Sequence, residues 1–193
     1  MGDLDLALQS LPAAAAPESV AVGAGRARAL VVEHFDFIWR LLCRLGVPEL
    51  DVDDAAQQVF IIATQRLGDL PLGGERTFLY GTALRTAATL RRNLRRRARW
   101  VEPGPADCAS NELTPHEDLE RRQALAFLDA VLRRLEDDLR EVFVLCEIEE
   151  LTAPQVAAIV RVPVGTVASR LRRARQEFGQ QVRLLQAERA RAR

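Results

Sequence analysis

The feature that most constrains the fold lies at residues 151–178, where two helical patterns follow each other with only a tight turn between them. The first pattern opens with Thr152 and Gln155, which fit a capping box and therefore mark a helix start. Residues 161–162 form the turn. Pro163 then begins the second helix at a position where proline is favoured, because its missing N–H is not needed there. This order predicts a helix-turn-helix.

The second helix of this motif separates an apolar side from a polar side when its residues are projected at about 100° each. The side predicted to pack inward consists of Val167, Leu171, Ala174 and Phe178. The outer side is rich in arginine, which is how such motifs place side chains in a DNA major groove. The candidate DNA-binding residues are Ala168, Ser169, Arg172, Arg173 and Gln176. An ordinary helical hairpin with a solvated basic face is the alternative.

Helical periodicity continues through most of the chain, and no strand-type alternation interrupts it. Three helices with short connections predict a small bundle in the first half. A stretch rich in Pro, Gly and acids then reads as a linker, and the helical pattern resumes after it. We therefore predict an all-α fold with two small helical domains joined by a flexible linker. The boundaries are a mobile tail at 1–25, domains at 26–100 and 117–187, an acidic linker at 101–116 and a basic tail at 188–193.

Charge is strongly segregated along a chain whose net charge is zero. Residues 85–99 hold seven Arg and no acid, and residues 161–193 hold nine Arg against two Glu. Residues 136–150, between these blocks, hold seven acids and one Arg. Lys is absent, so a coding bias explains the abundance of Arg by itself, but it does not explain the dense blocks. Their placement predicts two separate surfaces for a polyanion.

The first basic block ends the third predicted helix. Helix C-termini favour cations, but one or two arginines would satisfy that preference. The larger number favours contacts with DNA phosphates, which give affinity without sequence choice. The candidate backbone-contacting residues are Arg91, Arg92, Arg95 and Arg96.

Several classes of function find no support in the sequence. Three scattered cysteines and two histidines lack metal-ligand spacing, so we expect no metal and no cofactor. The chain has no Gly-rich phosphate loop and no Ser/His/Asp set, so we expect no enzyme and no small-molecule substrate. It has no signal peptide and no apolar run long enough for membrane insertion, which predicts a cytoplasmic protein.

Four stretches together resemble one family, the extracytoplasmic-function (ECF) sigma factors of the sigma-70 family. Val162–Arg175 reads VPVGTVASRLRRAR, which is similar to the family's C-terminal motif, and Arg140–Val144 reads REVFV. Asp51–Phe60 reads DVDDAAQQVF and resembles the family's acidic-start helix, while Glu75–Arg97 resembles its promoter-melting segment. The resemblance covers about residues 27–187, in order.

This resemblance implies a transcription initiation subunit that binds the clamp and flap of core RNA polymerase and contacts double-stranded and melted promoter DNA. The first domain would meet the clamp and the −10 element, and the second domain the flap and the −35 element. An anti-sigma factor is a further implied partner. The implied clamp-contacting residues are Asp51, Asp54, Gln57 and Gln58, and the implied −35 residues are Ala168, Ser169, Arg172 and Arg173.

The sequence departs from the family pattern at several positions. Gln58 stands where Glu is usual, Ala168 where a cation is usual, and Phe78 where Trp is common. Without the resemblance, a free-standing helix-turn-helix regulator with an N-terminal sensing or dimerisation bundle is the alternative. The dense arginine block at 85–99 argues against it, because a sensing domain has no need of one.

Overall fold

The computed structural model describes residues 17–71, 73–98 and 117–191, which contain helices and connections but no strand. The all-α prediction with two helical domains is therefore confirmed. No helix in these ranges is long and apolar enough to span a membrane. The helices are α1 (Pro17–Arg44), α2 (Glu49–Gln65), α3 (Glu75–Ala98), α4 (Glu117–Arg133), α5 (Asp137–Phe143), α6 (Ala153–Val160) and α7 (Val164–Arg191), with a 3-10 turn at Leu67–Asp69 and a π-helical turn at Val144–Ile148.

Helices α1, α2 and α3 pack into a bundle because each carries one apolar stripe. The stripe of α2 recurs at helical spacing, and its members Val52, Ala55, Ala56, Val59, Phe60 and Ala63 are all buried. Complete burial of a Leu or Val side chain contributes about 1.5–3 kcal/mol to the free energy of folding. The fully buried large side chains of this bundle are Ile38, Leu41, Leu42, Leu45, Val52, Val59, Leu79 and Tyr80.

Helices α4 to α7 form the second domain around the predicted helix-turn-helix. Val167 and Ala174 of α7 are buried, and Val156 of α6 packs into the same core. The ring of Phe178 stacks on Phe143 of α5 with centroids 4.5 Å apart. The inward side predicted for the second helix of the motif is confirmed.

The structure differs from the prediction near both ends of the chain. Helix α1 begins at Pro17, although the sequence predicts a mobile tail through residue 25. Residues 17–25 include two glycines and show no clean apolar period, so the local sequence did not indicate this helical start. Helix α7 continues to Arg191, and Glu188 in this last part of the helix accepts two hydrogen bonds from Arg134 at 2.8 and 3.1 Å. The predicted linker at 101–116 and residues 1–16 lie outside the described residues.

Arg140 joins the two domains from a position that is only 5% exposed. Its guanidinium donates to the carbonyl oxygens of Leu132 and Leu135, at 2.6 and 2.8 Å, near the end of α4. It also donates to the carbonyl of Leu45, at 3.1 Å, just after α1. Carbonyls at helix ends lack partners within the helix, so this one side chain satisfies the ends of helices from both domains.

Candidate nucleic-acid interface

The turn that precedes α7, the second helix of the helix-turn-helix, determines the direction of that helix. Gln155 accepts a hydrogen bond from the backbone N–H of Thr152 at 2.9 Å, which completes the predicted capping box of α6. Arg161 ends α6 in the left-handed conformation, with φ 57°. The N–H of Val162 then donates to the carbonyl of Ala157 at 3.2 Å, which closes the turn. This geometry gives α7 its direction, and all five candidate DNA-binding residues on it are exposed.

The two central arginines of this face differ in their surroundings. Arg172 forms no ion pair within the described part of the chain. Arg173 lies 3.4 Å from Glu177 and 3.6 Å from Glu136. Ser169 donates its hydroxyl proton to the carbonyl of Thr166 at 2.9 Å, which leaves its oxygen able to accept. The face therefore presents one free guanidinium and one that is shared with two carboxylates.

The basic end of α3 divides into exposed and buried positions. Arg92, Arg95 and Arg96 are exposed, as contacts with a phosphate backbone require. Arg91 is only 6% exposed and donates to the carbonyl of Leu45 and to Glu141, the latter at 2.7 Å. The structure therefore does not place Arg91 with the other three. Its predicted contact with DNA requires the two domains to move apart.

The outer face of α2 carries the residues implied to contact polymerase. Asp54, Gln57 and Gln58 are exposed, whereas Asp51 is half-buried. Two apolar residues that the sequence analysis missed are exposed on the same helix, Leu50 (96%) and Ile61. They share one face with the polar residues, since positions 50, 54, 57, 58 and 61 follow helical spacing. That spacing was the signal that could have found them, and the mixed surface is typical of a protein interface.

Tyr80 lies in the core of the first domain, as its aromatic ring favours. Its ring meets Phe37 edge-on at 5.0 Å between centroids, and its hydroxyl donates to Glu149 of the second domain at 3.1 Å. Burial, reinforced by the charge of Glu149, raises the pKa of Tyr80 to about 12. Phe78 is half-buried against the same core. Neither ring is free to stack on a base in this arrangement.

Residues 17–71, 73–98 and 117–191 contain no cluster of His, Cys, Asp or Glu arranged to hold a metal ion. The chemistry available at the exposed faces is that of guanidinium, hydroxyl and amide groups. These groups recognise phosphates and base edges by hydrogen bonding.

Comparison with known proteins gives a consistent result. The family "Sigma-70, region 4" matches residues 125–178. The ECF RNA polymerase sigma-E factor of Escherichia coli K12 is 32% identical over 168 residues, covering 81% of this chain and 86% of that protein. The ECF RNA polymerase sigma factor SigE of Mycolicibacterium smegmatis is 29% identical over 153 residues. That match covers 77% of this chain but only 58% of SigE. The solved structure of CnrH in complex with the cytosolic domain of CnrY has a TM-score of 0.60 and 26% identity, covering 86% of this chain and 96% of CnrH.

Proposed function

The chain belongs to the ECF sigma factors of bacterial RNA polymerase, and we propose that it binds core polymerase and directs initiation at promoters with −10 and −35 elements. The observation that carries this proposal is the presence of two exposed, arginine-rich faces in one chain. One is the exposed outer face of α7, and the other is the arginine-rich end of α3. Two modest DNA contacts on one tether give a combined affinity that neither has alone.

We assign the −35 element to the outer face of α7. Arg172 and Arg173 have the length and the donors to bind guanine in the major groove, and Gln176 suits adenine. Ala168 supplies no cation, so we expect this face to make one charged contact fewer than the family pattern. Ser169 is placed to meet a phosphate or a base edge with its free lone pairs.

We assign the −10 element and its flanking backbone to the first domain, residues 26–100. Arg92, Arg95 and Arg96 contact phosphates in this assignment, and Arg91 joins them only once it leaves Glu141. The outer face of α2 contacts the polymerase clamp through Asp54, Gln57 and Gln58, and Leu50 and Ile61 add apolar area. The second domain, residues 117–187, contacts the flap.

A regulatory protein partner follows from the same family membership. CnrH has been solved with the cytosolic domain of CnrY. We propose that an anti-sigma factor likewise holds this chain silent, in the cytoplasm where polymerase is found. The proposed role of the present chain is binding rather than catalysis, so we expect it to turn over no substrate.

Reconstituted transcription tests the function. The purified chain is added to bacterial core polymerase with a library of promoter fragments, and run-off products are sequenced. We expect chain-dependent transcripts that share two upstream elements. A chain that leaves the polymerase silent, or that binds DNA tightly but never polymerase, refutes the sigma-factor assignment; the second result favours the free-standing regulator.

Matched variants test the polymerase surface. Leu50→Glu places a charge in the apolar part of the α2 face, so we expect weaker capture of core polymerase with unchanged helicity. Val32→Glu is the control, because Val32 is an exposed apolar residue on α1, outside the surfaces assigned to polymerase. Equal capture by the two variants contradicts the assignment of α2 to polymerase.

A further inference from the structure

The acidic segment, residues 136–150, divides its carboxylates between the two basic regions of the molecule. Asp137, Glu141 and Glu149 pair with arginines of the first domain. The other set pairs with α7 of the second domain: Glu136 with Arg173 at 3.6 Å, Asp138 with Arg170 at 3.2 Å, and Glu147 with Arg175 at 2.7 Å. A single stretch of chain is therefore the counter-ion for both basic regions.

The contacts with α3 involve the arginines assigned to the DNA backbone. Glu141 accepts from Arg91 at 2.7 Å, and Asp137 accepts from Arg95 at the same distance. Asp137 also lies 3.3 Å from Nε of Arg91. These carboxylates occupy the positions around the guanidinium groups that DNA phosphates would need to take.

Glu149 makes a second attachment to the first domain, away from α3's basic end. Its side chain is only 7% exposed and accepts from Arg44 of α1 at 3.0 Å. It also accepts from the hydroxyl of Tyr80 at 3.1 Å. Arg140, which belongs to the acidic segment, also donates to the carbonyl of Leu45. The segment is therefore attached to the first domain at three places: the basic end of α3, the pair Arg44 and Tyr80, and Leu45.

We propose that the acidic segment is an intramolecular latch that closes the two domains together and competes with DNA phosphates for Arg91 and Arg95. This inference rests on the proposed function for the identity of the DNA, but not for the closure itself. In the closed state Arg91 is inaccessible and Arg95 is shared. Binding of a DNA backbone and opening of the domains are then coupled, since both draw on the same guanidinium groups.

Three features of the junction weaken the closed state and so favour opening of the latch. Within the described chain, Nε of Arg91 and Oδ1 of Asp137 are buried without a hydrogen-bond partner, which weakens the pair that they belong to. Burial raises the pKa of Glu141 and so disfavours its charged form. Arg85 of α3 and Arg161 of α6 line one cleft between the domains and repel each other. Ion pairs that salt or a polyanion can replace therefore contribute to closure alongside the apolar contacts between the domains.

Small-angle X-ray scattering of the full chain tests the closure without any substitution. We expect the radius of gyration of the wild type to increase by about 2 Å or more from low to high salt as the domains separate. Glu141→Gln removes the carboxylate that holds Arg91 and should expand the chain at low salt. Glu147→Gln removes an acid of the same segment that faces Arg175 of α7, and it should stay compact.

Binding of a labelled duplex of random sequence tests the competition. At low salt we expect Glu141→Gln to bind about fivefold more tightly than Glu147→Gln, because it removes the main partner of Arg91 and, once the domains open, also separates Arg95 from Asp137. A wild type that keeps its dimensions in high salt, or variants with equal dimensions and equal DNA affinity, overturns the latch. Neither measurement uses polymerase, so failure of the transcription assay leaves the latch testable, and failure of the latch leaves the sigma-factor assignment intact.

Discussion

Gly46 lies against the guanidinium of Arg140, at the point where the end of α1 meets the second domain. Its φ is +83°, and a Cβ built there would meet Nη1 of Arg140 at 2.3 Å. The guanidinium cannot easily retreat, because it donates to four backbone carbonyls. Glycine is therefore required here both for its backbone conformation and for the space it leaves.

A pair of glycine substitutions separates these two requirements. Gly73 has φ +82° with nothing within 4 Å of its built Cβ, so Gly73→Ala adds only backbone strain, about 1 kcal/mol. Gly46→Ala adds the same strain and also displaces Arg140 from its carbonyls, for a total of about 3 kcal/mol. Urea unfolding of the two variants measures the difference, and equal losses would show that Arg140 moves without cost.

Tyr80 is the chain's single tyrosine, and its hydroxyl bonds Glu149 across the junction between the domains. Its ultraviolet absorbance therefore reports on that junction. Its pKa is raised from 10.0 to about 12 by burial and by Glu149. A raised pKa means that the fold favours the protonated phenol. The contribution of Tyr80 to stability is therefore complete below pH 10 and is lost as the pH rises through about 12.

Tyrosinate absorbance should accordingly titrate near pH 12 in the native chain and near pH 10 in the unfolded chain. Glu149→Gln should lower the native value only partly, since burial is the larger cause. A native midpoint near 10 would mean that the hydroxyl is not enclosed between the two domains.

Helix α7 packs into the domain core on one side and presents its candidate DNA-binding residues on the other. Its inner side packs on α5 and α6, and its outer side is exposed. Arg172→Ala should weaken binding to a −35 duplex by about 1–3 kcal/mol, because it removes a guanidinium that pairs with no carboxylate among the described residues. Arg173→Ala should cost less, since Arg173 must first leave Glu136 and Glu177.

Fluorescence anisotropy with a specific and a scrambled duplex distinguishes recognition from general attraction. Arg183→Ala is the matched control, because Arg183 is exposed on α7 outside the predicted reading face. If all three substitutions weaken both duplexes equally, the reading face is assigned to the wrong side of the helix.

The helices with a clear apolar stripe were predictable, because their periodicity records which side is buried. The stripe of α2, the capping box at Thr152 and the inward side of α7 all follow from local sequence. The start of α1 did not, since its first turns contain two glycines and have no regular apolar period. Local sequence predicts an element where burial leaves a repeating pattern and predicts less where it does not.

The candidate site divides in the same way. Exposure on α7 follows from one helix alone, so the outward positions there could be identified from a projection. The burial of Arg91 could not, because it depends on Glu141 and Leu45, which are 50 and 46 residues away in the chain. Segregated charge predicted two surfaces for a polyanion, but only the packing of the domains decides which carboxylate meets which arginine.

The chain has equal numbers of basic and acidic residues, which are segregated along the sequence and paired between different parts of the fold. The buried residues form one continuous core cluster with members from both domains, and the acidic segment adds ion pairs across the same junction. Apolar contact persists in salt, whereas exposed and partly exposed ion pairs are screened. The cooperativity of unfolding should therefore depend on ionic strength.

Urea is the suitable denaturant for this prediction, because it is uncharged and leaves the ion pairs intact until the chain unfolds. Trp39 lies on α1 of the first domain, so its fluorescence in a Trp100→Phe background follows that domain, while circular dichroism follows the helices of both. At low salt the two transitions should coincide, as expected when the domains unfold together. At high salt they should separate, and Glu141→Gln should separate them even at low salt, whereas Glu147→Gln should not. Coincident transitions for every variant at every salt concentration would mean that the apolar contacts alone couple the domains. The ion pairs would then make no contribution to the cooperativity of unfolding.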